Sequence, residues 1–265
     1  MAGNSTQWRG RSVTSKVLSL LDAFSPATPE LSLNELAQRT GLPLSTTYRL
    51  ATELVEWGGL ERAGGRGYRI GLRLWEVGSL APRGEDVRDI ALPFMQDLYD
   101  ATQENVHLAV LDGREALYVE RISGRRAVRV MSRRAGRMPL HATGVGKVLL
   151  AYAPPELLKE LVDAGLKRYT PRTIIAPGHL HRELEEVRRT GVAYAREEMS
   201  MGTLSVASPI FDADRKVVAA LAVVLRSSPG DLRRLAPAVH CAALSASRAM
   251  HERPLAGSRP VPIPR

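Results

Sequence analysis

Apolar residues recur at helical spacing from the first ordered stretch, with Val13, Val17, Leu20, Leu21 and Phe24 on one face. Pro26 and Pro29 then mark a loop. Ser32-Leu-Asn-Glu35 follows. It is an S-x-x-E capping box, in which each side chain satisfies a backbone N–H that a first helical turn leaves unpaired. The helix it opens turns Leu33, Leu36 and Ala37 inward and ends at Gly41, a residue suited to a left-handed C-cap. A third helix starts near Pro43, where a missing N–H costs nothing. It carries Thr47, Leu50, Ala51 and Leu54 inward and stops at Gly58-Gly59. Leu60-Glu-Arg62, a Gly-rich turn and Tyr68-Arg-Ile70 then form a small β-hairpin with basic residues at its tip. Three helices, a tight turn before the third and a hairpin after it describe a winged helix-turn-helix.

Beyond this unit the pattern changes. Leu72 to Leu80 reads as a connecting helix, and Ala81-Pro82-Arg83-Gly84 as a linker. A helix from about Val87 to Thr102 leads into the alternating runs NVHLAVLD and EALYVERI, joined at Asp112-Gly113, a hairpin signal. A third run, AVRVMS, follows; MPLHATGVGKVLLAYA then passes into a helix, and PPELLKELVDAG and PGHLHRELEEVRRTG give two more. Strands return at GVAYARE, TLSVASPIF and KVVAALAVVL before a last helix from Asp231 to Met250. Antiparallel strands with helices packed on them predict an α+β domain. The expected boundaries are a disordered N-terminus at 1–11, the winged helix-turn-helix domain at 12–71, a linker helix and linker at 72–86, the α+β domain at 87–252 and a disordered tail at 253–265.

Composition narrows the partners. Of 265 residues, 44% are hydrophobic and 25% charged, enough for a real core, but aromatics are only 5%, so aliphatic side chains must do the packing. The formal charge of +9 favours a polyanionic partner. The single cysteine, Cys241, excludes an internal disulfide and a cysteine-based zinc cluster, as suits a reducing cytosol. Neither a signal peptide nor an apolar run of membrane-spanning length is present, so the expected location is the cytoplasm.

No G-x-S-x-G, catalytic Cys–His pairing or paired-carboxylate pattern stands out, and no enzyme, cofactor or metal is expected. Gly144-Val-Gly146-Lys147 lacks the earlier glycine and the following Ser or Thr of a nucleotide-binding loop. Glycines at a helix start do expose backbone N–H groups and the positive end of the helix dipole, which together make an anion site. His179 and His181 diverge on a helix and read as exposed histidines, not as a metal pair. His107 either lines a ligand-facing side of its strand or faces a neighbour. Arg121 to Arg137 holds seven arginines and no acid; solvated strand faces and turns are favoured over a second nucleic-acid surface.

Four segments, in order, carry a resemblance: LSLNELAQRTGLPLSTTYRL, YRIGLRLWEVG, GRMPLHATGVGKVLLA and RRTGVAYAREEMSMGTLSVASPIFD. With these the chain resembles the isocitrate lyase regulator (IclR) family of bacterial transcription factors from about Ser12 to Met250. The resemblance implies a DNA-binding N-terminal domain, a linker helix and a GAF-like C-terminal domain that senses a small organic acid. It also implies a homodimer or dimer of dimers on double-stranded operator DNA, and a repressor of a catabolic operon is expected. The competing reading is a sensor or interaction module that acts through a protein partner. Leu44, Ser45, Thr46, Tyr48 and Arg49 match the family's DNA-facing positions, at the helix end that a major groove receives, with Arg66 at the wing tip. Carrying over the effector positions gives Val130, Met138, Gly144, Val145, Ala195, Thr203, Ser205, Ala222 and Val224. Relatives tuned to tiny keto acids place Asp, Cys and two Ser at the positions of Ala195, Ser205, Ala222 and Val224. Three of these four are apolar here, which implies a larger, less polar acid, aromatic or otherwise apolar.

Overall fold

The structure is a computed structural model that describes residues 12–25, 27–65, 67–80, 85–123, 136–226 and 231–252. The expected disordered ends, the 81–84 linker, the AVRVMS run, and the site candidates Arg66 and Val130 lie outside them. The chain divides into two compact units, 1–81 and 82–265, so the connecting helix groups with the first.

In the first unit, helix α1 (Val13–Asp22) is capped by Ser12, whose hydroxyl accepts from Ser15 N–H. Helix α2 (Leu33–Thr40) opens on the reciprocal Ser32–Glu35 box: the Ser32 hydroxyl accepts from Glu35 N–H and the Glu35 carboxylate from Ser32 N–H. It stops at Gly41, whose φ of 68° is the left-handed region that a side chain disfavours. After this turn helix α3 (Leu44–Trp57) buries Thr47, Leu50, Ala51 and Leu54 against Leu20, Leu31, Leu36, Leu60 and Tyr68. The sequence pattern shows a two-stranded hairpin, β2 (Leu60–Ala63) with β3 (Gly67–Ile70), but the sheet has a third strand. This is β1 (Glu30–Ser32), paired antiparallel to β3 with Leu31 opposite Tyr68. Three residues ending in a helix cap are too short to display a period of two. Helix α4 (Leu72–Gly78) follows and buries none of its residues.

The second unit is one antiparallel six-stranded sheet. Its order is β6 (Arg137–Pro139), β5 (Glu115–Ile122), β4 (Asn105–Asp112), β9 (Val217–Arg226), β8 (Thr203–Phe211), β7 (Ala193–Arg196). The central strands sort their side chains by face. Leu204, Val206 and Ile210 of β8, Leu221, Val223 and Leu225 of β9 and Val106 and Leu108 of β4 pack under α5 (Glu85–Thr102) and α9 (Asp231–Glu252). The opposite face carries Ala109, Ala207, Ala220 and Ala222, which meet α6 (Gly144–Ala151) and α8 (Pro177–Thr190); α7 (Pro155–Asp163) joins them. Small side chains on this face let α6 lie close to the sheet. Every residue of α6 is buried, including Lys147. Where α6 begins, the helical layer ends and the sheet face opens.

Candidate functional site

That opening is a cavity with about 440 Å³ of empty volume, its mouth included, between the N-terminus of α6 and strands β4, β5, β7, β8 and β9. Thr143 caps α6: its side chain accepts from Gly146 N–H at 3.1 Å and donates to the Pro139 carbonyl at 3.0 Å. The helix supplies no acceptors for the N–H groups of Gly144 and Val145, which leaves the positive end of its dipole facing the opening. A β-carbon at residue 144 would lie 2.6 Å from the Ser205 hydroxyl on β8, so a side chain there requires Ser205 to turn away or the helix start to shift.

One part of the lining is apolar: Met138, Ala142, Ala195, Met199 and Val224. The other is polar, with His107 and Tyr118 on β4 and β5 stacked edge to face at 5.4 Å, and Thr143, Ser200, Thr203 and Ser205. Burial, with Arg121 as a lesser cause, pulls the His107 imidazole down to about 3, so it is neutral at ordinary pH. Burial pushes the Tyr118 phenol up, opposed by its hydrogen bond with Thr143.

Glu198 completes the wall, buried to 5% exposure. Its Oε1 accepts from Lys147 Nζ at 2.7 Å and from Arg196 N–H at 3.2 Å. Lys147 is fully buried and also donates to the Tyr194 carbonyl at 2.9 Å. Burial raises the Glu198 pKa, and Lys147 opposes the rise. A buried ion pair thus ties α6 to the loop after β7, behind the cavity.

In the first unit, the exposed end of α3 presents Leu44, Ser45, Tyr48 and Arg49, with Thr46 half-buried beside them. This is the second, outward helix of a helix-turn-helix. Residues 13–64 match the IclR helix-turn-helix domain and residues 81–248 the bacterial transcriptional regulator IclR C-terminal domain. The chain belongs to the IclR family of transcriptional regulators.

Among the IclR-family proteins similar to it is the transcriptional repressor IclR of Escherichia coli, 33% identical over 78% of this chain and 77% of that protein. The regulator XynR of the same organism is 33% identical over 83% of this chain and 88% of its own length. A crystal structure of an IclR homolog from Microbacterium hydrocarbonoxydans, complexed with 4-hydroxybenzoate, superposes with a TM-score of 0.86. It is 31% identical and the match covers 90% of this chain and 99% of that one. IclR-family proteins are DNA-binding regulators that respond to small effectors and not enzymes, and this chain is one of them.

The effector positions carried over from the IclR family separate in the structure. Met138, Gly144, Ala195, Thr203, Ser205 and Val224 come together on the cavity. Ala222 and the Val145 side chain do not line it; both are buried in the core between α6 and the sheet. The reason is the helical layer: Ala222 shares the face of Val224, two residues on, but α6 covers it. The wall is also more polar than the four substituted positions imply, because His107, Tyr118, Thr143, Ser200 and Glu198 enter it. The alternation of β4 carried a signal for His107, which pairs with Ala222 and so shares the face of Val224. For Glu198 there was none, since it lies in a loop between strands. His179 and His181 are exposed and lie beside Glu183 and Glu185; among the described residues no three His, Cys, Asp or Glu side chains cluster as metal ligands. Nor is any described helix long and apolar enough to cross a membrane.

Proposed function

We propose that the chain is a cytoplasmic repressor whose second domain binds an aromatic carboxylic acid and whose α3 reads the operator. The observation that carries this reading is the cavity at the start of α6. Free N–H groups at a helix N-terminus favour a carboxylate, by up to about 2 kcal/mol in a partly buried site. Met138, Ala195 and Val224 beside them reward burial of a ring, at roughly 25 cal/mol per Å². The 4-hydroxybenzoate held by the Microbacterium homolog has both parts. Repression follows the relatives that are named repressors, among them the acetate operon repressor of Salmonella typhimurium. On α3, Ser45, Thr46, Tyr48 and Arg49 meet base edges and phosphates, and Leu44 meets the groove wall.

The working form is a dimer. Helix α4 buries none of its residues, and Leu72, Trp75, Val77 and Leu80 are 46–79% exposed. An apolar patch of this kind marks an association surface. A second copy also gives the two recognition helices that a two-fold operator requires.

Calorimetric titration with benzoate, 4-hydroxybenzoate, glyoxylate and pyruvate, together with mobility shifts on the gene's own upstream DNA, tests the reading. The aromatic acids bind more tightly than either keto acid and change the DNA affinity. Tighter binding of glyoxylate than of every aromatic acid, or no retention of the DNA, overturns it.

A further inference from the structure

The outer face of α3 combines charge with carbon. Thr47, Leu50, Ala51 and Leu54 are its buried positions, and Ser45, Arg49, Thr52 and Glu56 recur at helical spacing on the opposite side. Thr52 stands half-buried in this outer row, one turn beyond Tyr48 and Arg49. Its hydroxyl donates to the Tyr48 carbonyl at 2.9 Å. The donor is spent on the helix itself, which leaves the γ-methyl as the part of the side chain offered outward. Thr47 makes the equivalent bond to the Pro43 carbonyl at 3.1 Å but is fully buried, so its methyl packs inside the unit. Beside Thr52, Tyr48 is 53% exposed and extends the carbon surface, and Arg49 offers an exposed guanidinium. A fork of donors next to carbon matches one major-groove pattern. Guanine presents two acceptors there, and of the four bases only thymine presents a C5 methyl.

We propose that Thr52 is a specificity-determining residue that reads the C5 methyl of a thymine next to the guanine taken by Arg49. This deepens the operator reading of α3 and rests on it. With its hydroxyl turned back to the helix, Thr52 donates nothing to a base edge or a phosphate. Its contact is therefore one of shape and desolvation. Cytosine at the same place lacks the methyl and presents an amino group to a surface with no acceptor for it, so it is rejected. The contact releases no counterion, so its contribution is independent of salt, unlike that of the phosphate contacts around it.

The experiment uses the full-length protein and the gene's own upstream DNA, in duplexes where single thymines of the protected region are replaced by uracil. Uracil pairs as thymine does and differs by the methyl alone. Wild type, Thr52→Ser and Thr52→Val are compared by mobility shift. Thr52→Ser keeps the bond to the Tyr48 carbonyl and lacks the methyl; Thr52→Val keeps the methyl and lacks the hydroxyl. In the wild type at least one thymine is sensitive to the exchange, by about fourfold, the worth of one buried methyl. That ratio persists in Thr52→Val and falls to about one in Thr52→Ser. The sensitive thymine lies beside the position whose preference Arg49→Ala relaxes. Ratios between two duplexes on one preparation do not depend on how much of it is folded. No sensitive thymine, or a ratio that survives in Thr52→Ser, overturns the role of Thr52 but leaves operator binding by α3 intact. Binding lost in Thr52→Val and kept at full strength in Thr52→Ser overturns it as well, because the hydroxyl then makes the contact. Absence of any DNA binding by the wild type defeats the operator reading itself.

Discussion

A β-carbon on Gly144 would lie 2.6 Å from the hydroxyl oxygen of Ser205 and 3.3 Å from the Ala207 β-carbon. The start of α6 is therefore pressed onto β8 as closely as a backbone permits, and this contact places the helix N-terminus over the cavity. Gly144→Ala forces the helix outward, at a cost of about 1–3 kcal/mol from overpacking, and abolishes organic-acid binding. Adding Ser205→Gly removes the nearer clash but leaves that with Ala207, so it restores stability in part. Thermal melts of the single and double variants check this; equal melting points for wild type and Gly144→Ala would contradict it.

The Lys147–Glu198 pair couples the same helix to the loop after β7. Removing one charge strands the other. Lys147→Met leaves a buried carboxylate uncompensated, and breaking such a pair costs about 3–5 kcal/mol. Glu198→Gln costs less, because Lys147 keeps the Tyr194 carbonyl at 2.9 Å and Glu183 at 3.4 Å. The double variant loses less than the sum of the two singles. Denaturant unfolding of all four proteins gives the coupling directly, and strict additivity would show that the pair does not act as a unit.

His107 makes stability depend on pH. Its imidazole titrates at about 3 in the folded protein and near 6.5 when exposed, so between these values the unfolded chain binds the extra proton. The contribution is fully present above about pH 6.5 and is lost as pH falls towards 3. The slope is up to about 1.4 kcal/mol per pH unit. His107→Gln removes this term. Urea midpoints at pH 7.5, 5.5 and 4.5 should diverge between wild type and variant as the pH falls; parallel curves would mean that His107 is not buried in its neutral form.

Much of this architecture is written locally. The Ser32–Glu35 box, Gly41 and the inward stripe of α3 define the helix-turn-helix within a few dozen residues, and each is a short-range rule of capping or periodicity. Strands β4, β5, β7, β8 and β9 were legible for the same reason, whereas the three-residue β6 was not. What was not legible depends on residues far apart in the chain. Ala222 and Val224 differ by two positions on one strand face, and only the path of α6 decides which is covered. Lys147 and Glu198 meet across 51 residues, from a helix and a loop, and neither has a pattern that points to the other. The strand Glu30–Ser32 merges into a helix cap and shows no alternation of its own.

Dimer formation through α4 gives a further test of the proposed function. Trp75 is 65% exposed on a helix with no buried residue. Trp75→Glu places a charge in the patch that the second copy covers. Sedimentation should shift from dimer towards monomer at micromolar concentration, and operator affinity should fall with it, while the melting temperature of the second domain stays unchanged. A wild-type protein that sediments as a monomer and still binds its operator at full affinity would exclude the dimer.

On the DNA side, Arg49 is paired with Glu53 across 2.7 Å, one turn further along α3, with both side chains more than half exposed. An exposed pair of this spacing contributes only about 0.3–0.5 kcal/mol, so DNA can take the guanidinium from Glu53 at little cost. If Arg49 reads a guanine edge with two hydrogen bonds, Arg49→Ala weakens operator binding by about 1–3 kcal/mol and relaxes the preference at one base position. A phosphate contact behaves differently: its loss weakens all sequences alike and lowers the salt slope by about one. Glu53→Gln frees Arg49 and removes a like-signed repulsion with the backbone, so it tightens specific and non-specific DNA alike. Mobility shifts on the operator and on a scrambled duplex, each over a salt series, separate these outcomes. Unchanged operator binding by Arg49→Ala would remove Arg49 from the recognition surface and with it the register assigned to α3.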